Sequence, residues 1–307
     1  MKRRVVLSLL LGALPLLLAA SAPSVKMFNG QVTSLESGGL SPLERAAAAG
    51  RQWASEKPGS VFFTAWAFPA IERIHSGHWR HGGDETGPIA VRCRDRRIVM
   101  RTDEEQSLNI SGGAGAKGSG VSWGVFLFLN QVENGRCRVL DMHVLAPDRI
   151  YELGGERLAW LGLADEKQGL EFIRTLLVPG SDRNLRKESV FAIYLLRGAG
   201  AVADLIGLAR RDPDLDVRKD AIFWLGQKAS VAAIAALGDV IASPEDLEIK
   251  KAAVFALSQL PEEKGTPMLL GIARQHSHPR VRKEAIFWLG QSGDPRALDF
   301  FEEILLK

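Results

Sequence analysis

The chain has 307 residues, enough for one large or two modest domains with proper hydrophobic cores. It carries 39 Lys and Arg residues against 36 Asp and Glu residues, and three of the basic residues belong to a leader segment, so the remainder is balanced. Nucleic-acid binding needs a net basic surface that releases counterions. A nucleic acid is therefore not the expected partner.

The first 22 residues have the three parts of a secretory signal peptide. A basic start at Lys2–Arg4 is followed by the apolar run Val5–Ala20 and by a small-residue cleavage site at Ala20–Ala22. An uncleaved anchor helix is the alternative, but the run is short for a bilayer span and contains Gly12 and Pro15. We expect export to the periplasm or the medium, without membrane insertion after cleavage.

Two short segments follow the signal. Residues 23–40 are polar and without periodicity, which predicts a flexible lead-in. Ser41–Glu44 supplies an N-cap, a proline at the first helical position and a glutamate one turn later. A helical segment is therefore predicted for residues 41–57.

Residues 58–154 predict a small, mostly antiparallel β unit. Five short runs rich in β-branched and aromatic residues are separated by turn formers, among them the hairpin signal Asn134-Gly135. Cys93 and Cys137 lie in two of these runs. An oxidising compartment permits a disulfide between them, and two half-buried free thiols are the alternative.

Residues 155–307 read as helix and contain a 32-residue repeat. A basic residue recurs at Arg186, Arg218, Lys250 and Arg282, each preceded by an aliphatic residue and followed by a lysine. Five positions later a phenylalanine recurs: Phe191, Phe223, Phe255 and Phe287. A second apolar series appears later in each unit, so the pattern predicts two amphipathic helices per repeat and four repeats in an α-α superhelix. Gly155–Val178 is predicted to be a divergent helical cap that joins the β unit to this solenoid.

One position in the first helices alternates between small and large residues. Ala192, Trp224, Ala256 and Trp288 occur at the 32-residue spacing, and Val217–Gln227 recurs almost unchanged as 281–291. We predict that tryptophan and alanine layers interdigitate along the stack. The same alternation indicates growth by duplication of a 64-residue, two-repeat unit.

The motif D/P-x-x-V-R-K-x-A-x-x-x-L, followed by A-L-x-x-L-x-x-I/L, resembles the HEAT-repeat family in its short bacterial form named for phycobilisome lyases. The resemblance covers Asn184–Lys307. It implies an α+β chain whose solenoid is a scaffold or protein-binding module, with no cofactor and another protein as partner. Lyase activity is the enzymatic implication of the family name, but nothing in the residues identifies a pigment site.

Solenoids present an extended surface lined by their second helices. The polar residues that we expect to form a partner-binding surface are Asp204, Arg210, Arg211, Asp239, Arg274 and Asp299. The last repeat lacks a polar capping helix, so Phe300 and Leu306 are expected to be partly exposed. Self-association through this repeat is a further expectation.

The rival hypothesis places an enzyme or metal site, hydrolase- or lyase-like, in the β unit and lets the repeats recruit substrate. His75, His78 and His81 are spaced by three and could ligate zinc or copper, but no helix holds them on one face, which favours a solvated loop. The Gly113–Gly118 stretch matches G-x-G-x-x-G but precedes a strand-like run, which indicates a hairpin loop. No catalytic residue is predicted.

Overall fold

The computed structural model describes residues 28–35, 40–56, 61–71, 90–93, 96–101, 122–133, 136–147, 150–178 and 180–306. A mixed β-sheet with one helix on it is followed by a run of consecutive helices. The predicted order, a β unit followed by a helical solenoid, is confirmed.

Seven strands form one sheet in the order β3-β4-β7-β2-β5-β6, with β1 paired to β7. Their bounds are β1 Phe28–Ser34, β2 Val61–Ala70, β3 Ala90–Cys93, β4 Arg96–Arg101, β5 Ser122–Glu133, β6 Arg136–Leu145 and β7 Ile150–Leu163. The prediction of a mostly antiparallel unit is confirmed, since the pairings β2-β5, β3-β4, β4-β7 and β5-β6 are antiparallel. The count of five strands is wrong, because β1 and β7 were missed, and the pairings of β7 with β1 and β2 are parallel.

The strand β7 explains the misplaced boundary at residue 155. Gly154 and Gly155 have positive φ angles of 64° and 86°, a conformation that glycine adopts without steric cost. At this kink the register with β1 jumps, and β7 changes its other neighbour from β4 to β2. The double glycine therefore bends one long strand instead of ending the β unit, and the helical cap begins only at Glu166.

The segment predicted as a lead-in also contains structure. β1 lies within residues 23–40 and pairs along β7 from Phe28 to Ser34. The helix α1 spans Pro42–Glu56, inside the range predicted from its N-terminal signal. Ser41 and Glu44 form a reciprocal capping box, with the Ser41 amide donating to the Glu44 carboxylate at 2.8 Å.

The sheet separates two hydrophobic cores. Along β2, Phe62, Trp66 and Phe68 face the helices, while Phe63 and its alternate neighbours face a second core on the opposite side. Trp66 stacks on Phe128 of β5 with ring centroids 4.6 Å apart. Because both faces are buried, β2 and β5 read as continuous apolar runs instead of alternating ones.

The helical part contains nine helices within the described residues. Their bounds are α2 Glu166–Leu176, α3 Arg183–Leu195, α4 Ala199–Arg211, α5 Leu215–Lys228, α6 Val231–Ala242, α7 Leu247–Ser258, α8 Glu262–Gln275, α9 Pro279–Gln291 and α10 Pro295–Leu305. Four repeats each consist of a first helix (α3, α5, α7, α9) and a second helix (α4, α6, α8, α10). Asp182, Asp214, Asp246 and His278, spaced by 32, cap the first helices by accepting backbone N–H groups.

The sheet closes the first end of the solenoid. One hydrophobic core runs from the helix-facing side of β2 to the last repeat. At the junction the Ile71 amide donates to the Leu195 carbonyl at 2.9 Å, and the Arg197 guanidinium donates to the Ala70 carbonyl at 2.7 Å. The sheet therefore covers an end of the stack that a solenoid must otherwise protect with a polar cap.

The four residues at the alternating position differ in burial. Ala192 and Ala256 are fully buried, whereas Trp224 and Trp288 are only half-buried. An ideal Cβ on Gly226 would lie 3.0 Å from the Ala256 Cβ, so α5 and α7 approach closely at the small residues. The first helices are thus not buried on every side, because their tryptophans are partly exposed to solvent.

Candidate partner-binding surface

The second helices carry a series of ion pairs between consecutive units. Arg174 of α2 donates twice to Asp204 of α4, at 2.7 and 3.0 Å. Arg210 of α4 pairs with Asp239 of α6 at 2.7 Å. Arg274 of α8 pairs with Glu303 of α10 at 2.9 Å in the same way. These side chains are substantially exposed, so each pair contributes little to stability.

These pairs account for four of the six residues predicted for the partner-binding surface. Asp204, Arg210, Asp239 and Arg274 are each engaged with a neighbouring helix of the same chain. Arg211 and Asp299 are exposed, and neither forms an ion pair within the described residues. The second-helix surface is therefore mainly a charge-paired side of the stack.

The repeated basic residue has a structural role that the sequence reasoning missed. Arg186 is almost fully buried and pairs with Asp212, which is buried as well. Arg218 donates to the Ala209 carbonyl at 2.9 Å and pairs with Glu245. Each guanidinium holds a loop that connects two repeats. The guanidinium groups of Arg186 and Arg218 therefore lie against neighbouring loops instead of in open solvent.

The first helices present the same side chains outward in every repeat. A lysine is followed one turn later by a phenylalanine, and positions four apart lie on one helix face. These residues are half-buried or exposed, whereas the aliphatic residues between them lie in the core. Together with two tryptophans they form a band, the outer stripe: Lys187, Phe191, Lys219, Phe223, Trp224, Lys251, Phe255, Lys283, Phe287 and Trp288.

Aromatic rings of the outer stripe contact each other across the repeats. Phe191 and Trp224 have centroids 4.7 Å apart, Phe223 and Phe255 are stacked at 6.3 Å, and Phe255 and Trp288 lie 4.9 Å apart. The rings therefore form a continuous apolar band over four repeats. The spacing of the phenylalanines was visible in the sequence, but an apolar residue at helical spacing is normally assigned to the core.

Comparison with known families bears on this architecture. Residues 170–258 and 234–307 match the family model of HEAT repeats. This match supports a HEAT-repeat protein, and the run of helices is consistent with a HEAT-like solenoid. The match begins at residue 170 and does not include the β-sheet. No curated protein matches the chain.

A small group of ionisable side chains lies where the β unit meets the first repeat. Glu188 of α3 faces β6, and burial together with the nearby Asp141 charge raises its pKa to about 7. The His143 Nε2 lies 3.8 Å from the Asp141 carboxylate. Among the described residues, no group of three or more His, Cys, Asp or Glu side chains is placed to hold a metal ion.

Several predicted features of the chain lie outside the described residues. These are the signal peptide, the His75, His78 and His81 cluster and the Gly113–Gly118 stretch. Burial raises the pKa of the Cys137 thiol to about 11. The side chain of Cys93 is not among those described, so the disulfide stays a prediction. Within the described residues, no helix is both long and apolar enough to span a bilayer.

The last HEAT repeat differs from the others in exposure. Leu305 and Leu306 are 81% and 86% exposed, as expected for this repeat. Phe300 is buried instead, which corrects the expectation that it is exposed. Its ring lies under the Arg274 guanidinium, 5.2 Å from the centroid, on the side of α10 that faces α8.

Proposed function

We propose that the protein is an exported, non-enzymatic scaffold that binds another protein through the outer stripe of its HEAT repeats. HEAT repeats generally mediate protein–protein interaction. The single observation that carries the proposal is the unbroken aromatic band on an exposed side of the solenoid. Contiguous apolar surface of this kind on a folded protein is typical of interaction sites.

Packing between repeats does not fully account for these rings. Phe191 and Phe255 each contact an aromatic ring of the next first helix, which ties adjacent repeats together. Phe287 is 53% exposed, and its one aromatic neighbour within the described residues is Trp288 of the same helix. If the residue at position 287 only had to keep the repeats soluble, a polar side chain would suffice there. Aromatic residues are the side chains most often found at the centres of protein interfaces.

Site-specific photo-crosslinking in the producing cells tests this proposal. A benzoylphenylalanine at Phe223 or Phe255 should form a discrete protein adduct. The same group at Val231, which is 85% exposed on a second helix, serves as the matched control and should not. Loss of the adduct in a variant with Phe191 and Phe287 both changed to serine would support one continuous surface. Equal adducts at Val231, or none at the phenylalanines, would refute it.

Export and the absence of enzymatic activity are parts of the same proposal. The basic start, apolar run and small-residue site of residues 1–22 support export. Cell fractionation with N-terminal sequencing of the mature chain tests it, and a protein that stays in the cytoplasm with residues 1–22 attached would contradict it. If the protein is a scaffold that needs no metal ion, the purified full chain should contain none, and metal analysis checks this.

Self-association through the last repeat is proposed as a second interaction. The exposed Leu305 and Leu306 of this repeat support it, because exposed leucines cluster where a surface is covered by a partner. Sedimentation of the full chain should show a dimer that a Leu305→Glu variant dissociates. A monomer at all concentrations would contradict it and would leave the binding role of the outer stripe untouched.

A further inference from the structure

We infer that the outer stripe binds an extended acidic peptide segment that also carries apolar side chains. This inference rests on the proposed function, because it names the chemistry of the partner that the stripe takes. Three properties of the stripe lead to it. These are the sign of its unpaired charges, the regular spacing of lysine and ring, and the glutamines that follow them.

The unpaired charge on this surface is positive. Lys187 pairs with Asp220 at 3.4 Å, and Lys251 pairs with Glu248 at 3.4 Å. Asp216 on the same helices pairs with Arg183. Glu284 accepts a hydrogen bond from the Trp288 indole at 3.0 Å, and because an indole is neutral, this one carboxylate offsets part of the positive charge of the stripe.

Two lysines of the stripe remain without an acidic partner in the described part of the chain. Lys219 is half-buried and Lys283 is exposed, and neither forms an ion pair there. They lie 64 residues apart, in the second and fourth repeats, so the available positive charge recurs along the stack. Complementary charge on a partner directs encounter and excludes basic competitors.

The spacing of the stripe favours an extended ligand. In each repeat the lysine and the phenylalanine are one turn apart, about 5.4 Å along the helix. Neighbouring first helices are expected to lie about 8–10 Å apart. An extended peptide advances about 3.3 Å per residue, so every third residue reaches the next repeat. A peptide that crosses the first helices can therefore place a carboxylate or an apolar group on each repeat in turn.

A third row of side chains can hold the peptide backbone. Gln227, Gln259 and Gln291 are exposed and lie one turn beyond the phenylalanines. A glutamine amide both donates and accepts hydrogen bonds, so it can pair with the N–H and C=O groups of an extended main chain. Lysine, ring and amide then recognise the charge, the apolar side chain and the backbone of one segment.

The same surface is unsuited to a nucleic acid. A polyanionic backbone needs many neutralising contacts, whereas only two lysines of the stripe, Lys219 and Lys283, have no ion pair within the described residues. A peptide needs only one carboxylate for each of these lysines. A nucleic acid is therefore an outcome of the test and not the expected ligand.

Fluorescence anisotropy with synthetic probes tests the inference on the mature full chain. The probe is a fluorescein-labelled peptide of about twelve residues with the repeat Glu-Gly-Phe, long enough to cross four repeats at about 3.3 Å per residue. A Lys-Gly-Phe peptide of equal length is the charge control. The acidic peptide should bind at least about tenfold more tightly, and added salt should weaken it.

Variants separate the charge from the aromatic surface. A Lys219→Glu and Lys283→Glu double variant should reduce affinity for the acidic probe by about tenfold or more. Phe255→Ser should also weaken it, while Arg211→Glu on a second helix should bind like the parent. Circular dichroism melting confirms that each variant is folded, and Lys219→Gln with Lys283→Gln replaces any variant that is not.

The outcomes distinguish the two levels of the proposal. Equal binding of both peptides, or tighter binding of a fluorescein-labelled oligothymidylate or of anionic vesicles, overturns the inference of an acidic peptide. If Phe255→Ser weakens both peptides while the lysine variants have no effect, the stripe is a binding surface and only the charge preference is wrong. If no variant of the stripe changes binding of either probe, the inference fails, and the crosslinking experiment decides the proposed function separately.

Discussion

The two nearly identical stretches 217–227 and 281–291 allow one substitution to be tested in two environments. Gly226 and Gly290 occupy the same place in them, near the ends of α5 and α9. An ideal Cβ on Gly226 would lie 2.9 Å from the Ala256 carbonyl oxygen and 3.0 Å from its Cβ. On Gly290 it would have only the Phe301 ring near it, at 3.8 Å, which is an ordinary contact.

The expected changes in the free energy of unfolding have opposite signs. Alanine in place of glycine favours a helix by up to about 1 kcal/mol at either position. At Gly226 the new methyl group meets backbone of the next repeat, and overpacking of this kind costs about 1–3 kcal/mol. Gly290→Ala should therefore stabilise by up to about 1 kcal/mol, and Gly226→Ala should destabilise by up to about 2 kcal/mol, which is the steric cost less the gain in helix propensity.

Urea-induced unfolding followed by circular dichroism measures both changes. Helix propensity largely cancels in the difference between the two variants, which should be about 1–3 kcal/mol from the steric contact alone. Hydrogen exchange should be measured as well, because a repeat array can unfold in parts, and the urea transition then no longer reports a single two-state change. If both variants stabilise the chain equally, α5 and α7 do not approach as closely as described, and the close packing at the small residues is refuted.

Three further predictions concern buried groups and are checked by unfolding measurements. Arg186→Met should cost about 3–5 kcal/mol because it leaves the Asp212 carboxylate buried without its partner, whereas Arg210→Met, which breaks an exposed pair, should cost less than about 1 kcal/mol; equal losses would contradict this. Ala256→Trp should destabilise by about 3 kcal/mol because the site is already closely packed, and an unchanged melting temperature would rule this out. Burial raises the pKa of Glu188 from 4.5 to about 7, so ionisation of Glu188 opposes folding. The free energy of unfolding should therefore fall by about 1–2 kcal/mol as the pH rises between these values, after allowance for the partial solvent contact of the side chain. Glu188→Gln should remove that part of the pH dependence, and an unchanged pH profile of the variant would contradict the prediction.

The solenoid was predictable because its pattern is long, periodic and repeated. Four copies at a spacing of 32 define the helices, and each first helix begins at a capping residue that recurs at the same spacing. The last strand was not predictable in this way. Leu158 and Leu161 lie in a run that is buried on both sides of the sheet, and such a run cannot be told from a buried helix by periodicity.

The candidate site was only partly predictable for a related reason. Polar residues on the second helices were chosen because these helices line the extended surface of a solenoid, but periodicity does not show that Arg210 and Asp239 pair with each other. The phenylalanines were noticed as a series, yet whether Phe287 is buried or exposed depends on the geometry of the stack. Pairing and exposure are tertiary properties, and a local pattern does not determine them.

The 64-residue period extends beyond the tryptophans and links architecture with the proposed binding role. Arg210 and Arg274 are 64 residues apart, as are their partners Asp239 and Glu303, and each arginine pairs with the next second helix. Lys219 and Lys283, the lysines of the outer stripe that have no ion pair in the described residues, follow the same period. The duplication of a two-repeat unit that the sequence predicts would account for both the ion pairs of one side and the unpaired lysines of the other. Because the second-helix charges are used within the chain, selection for a partner can act on the outer stripe without weakening the pairs that join the repeats.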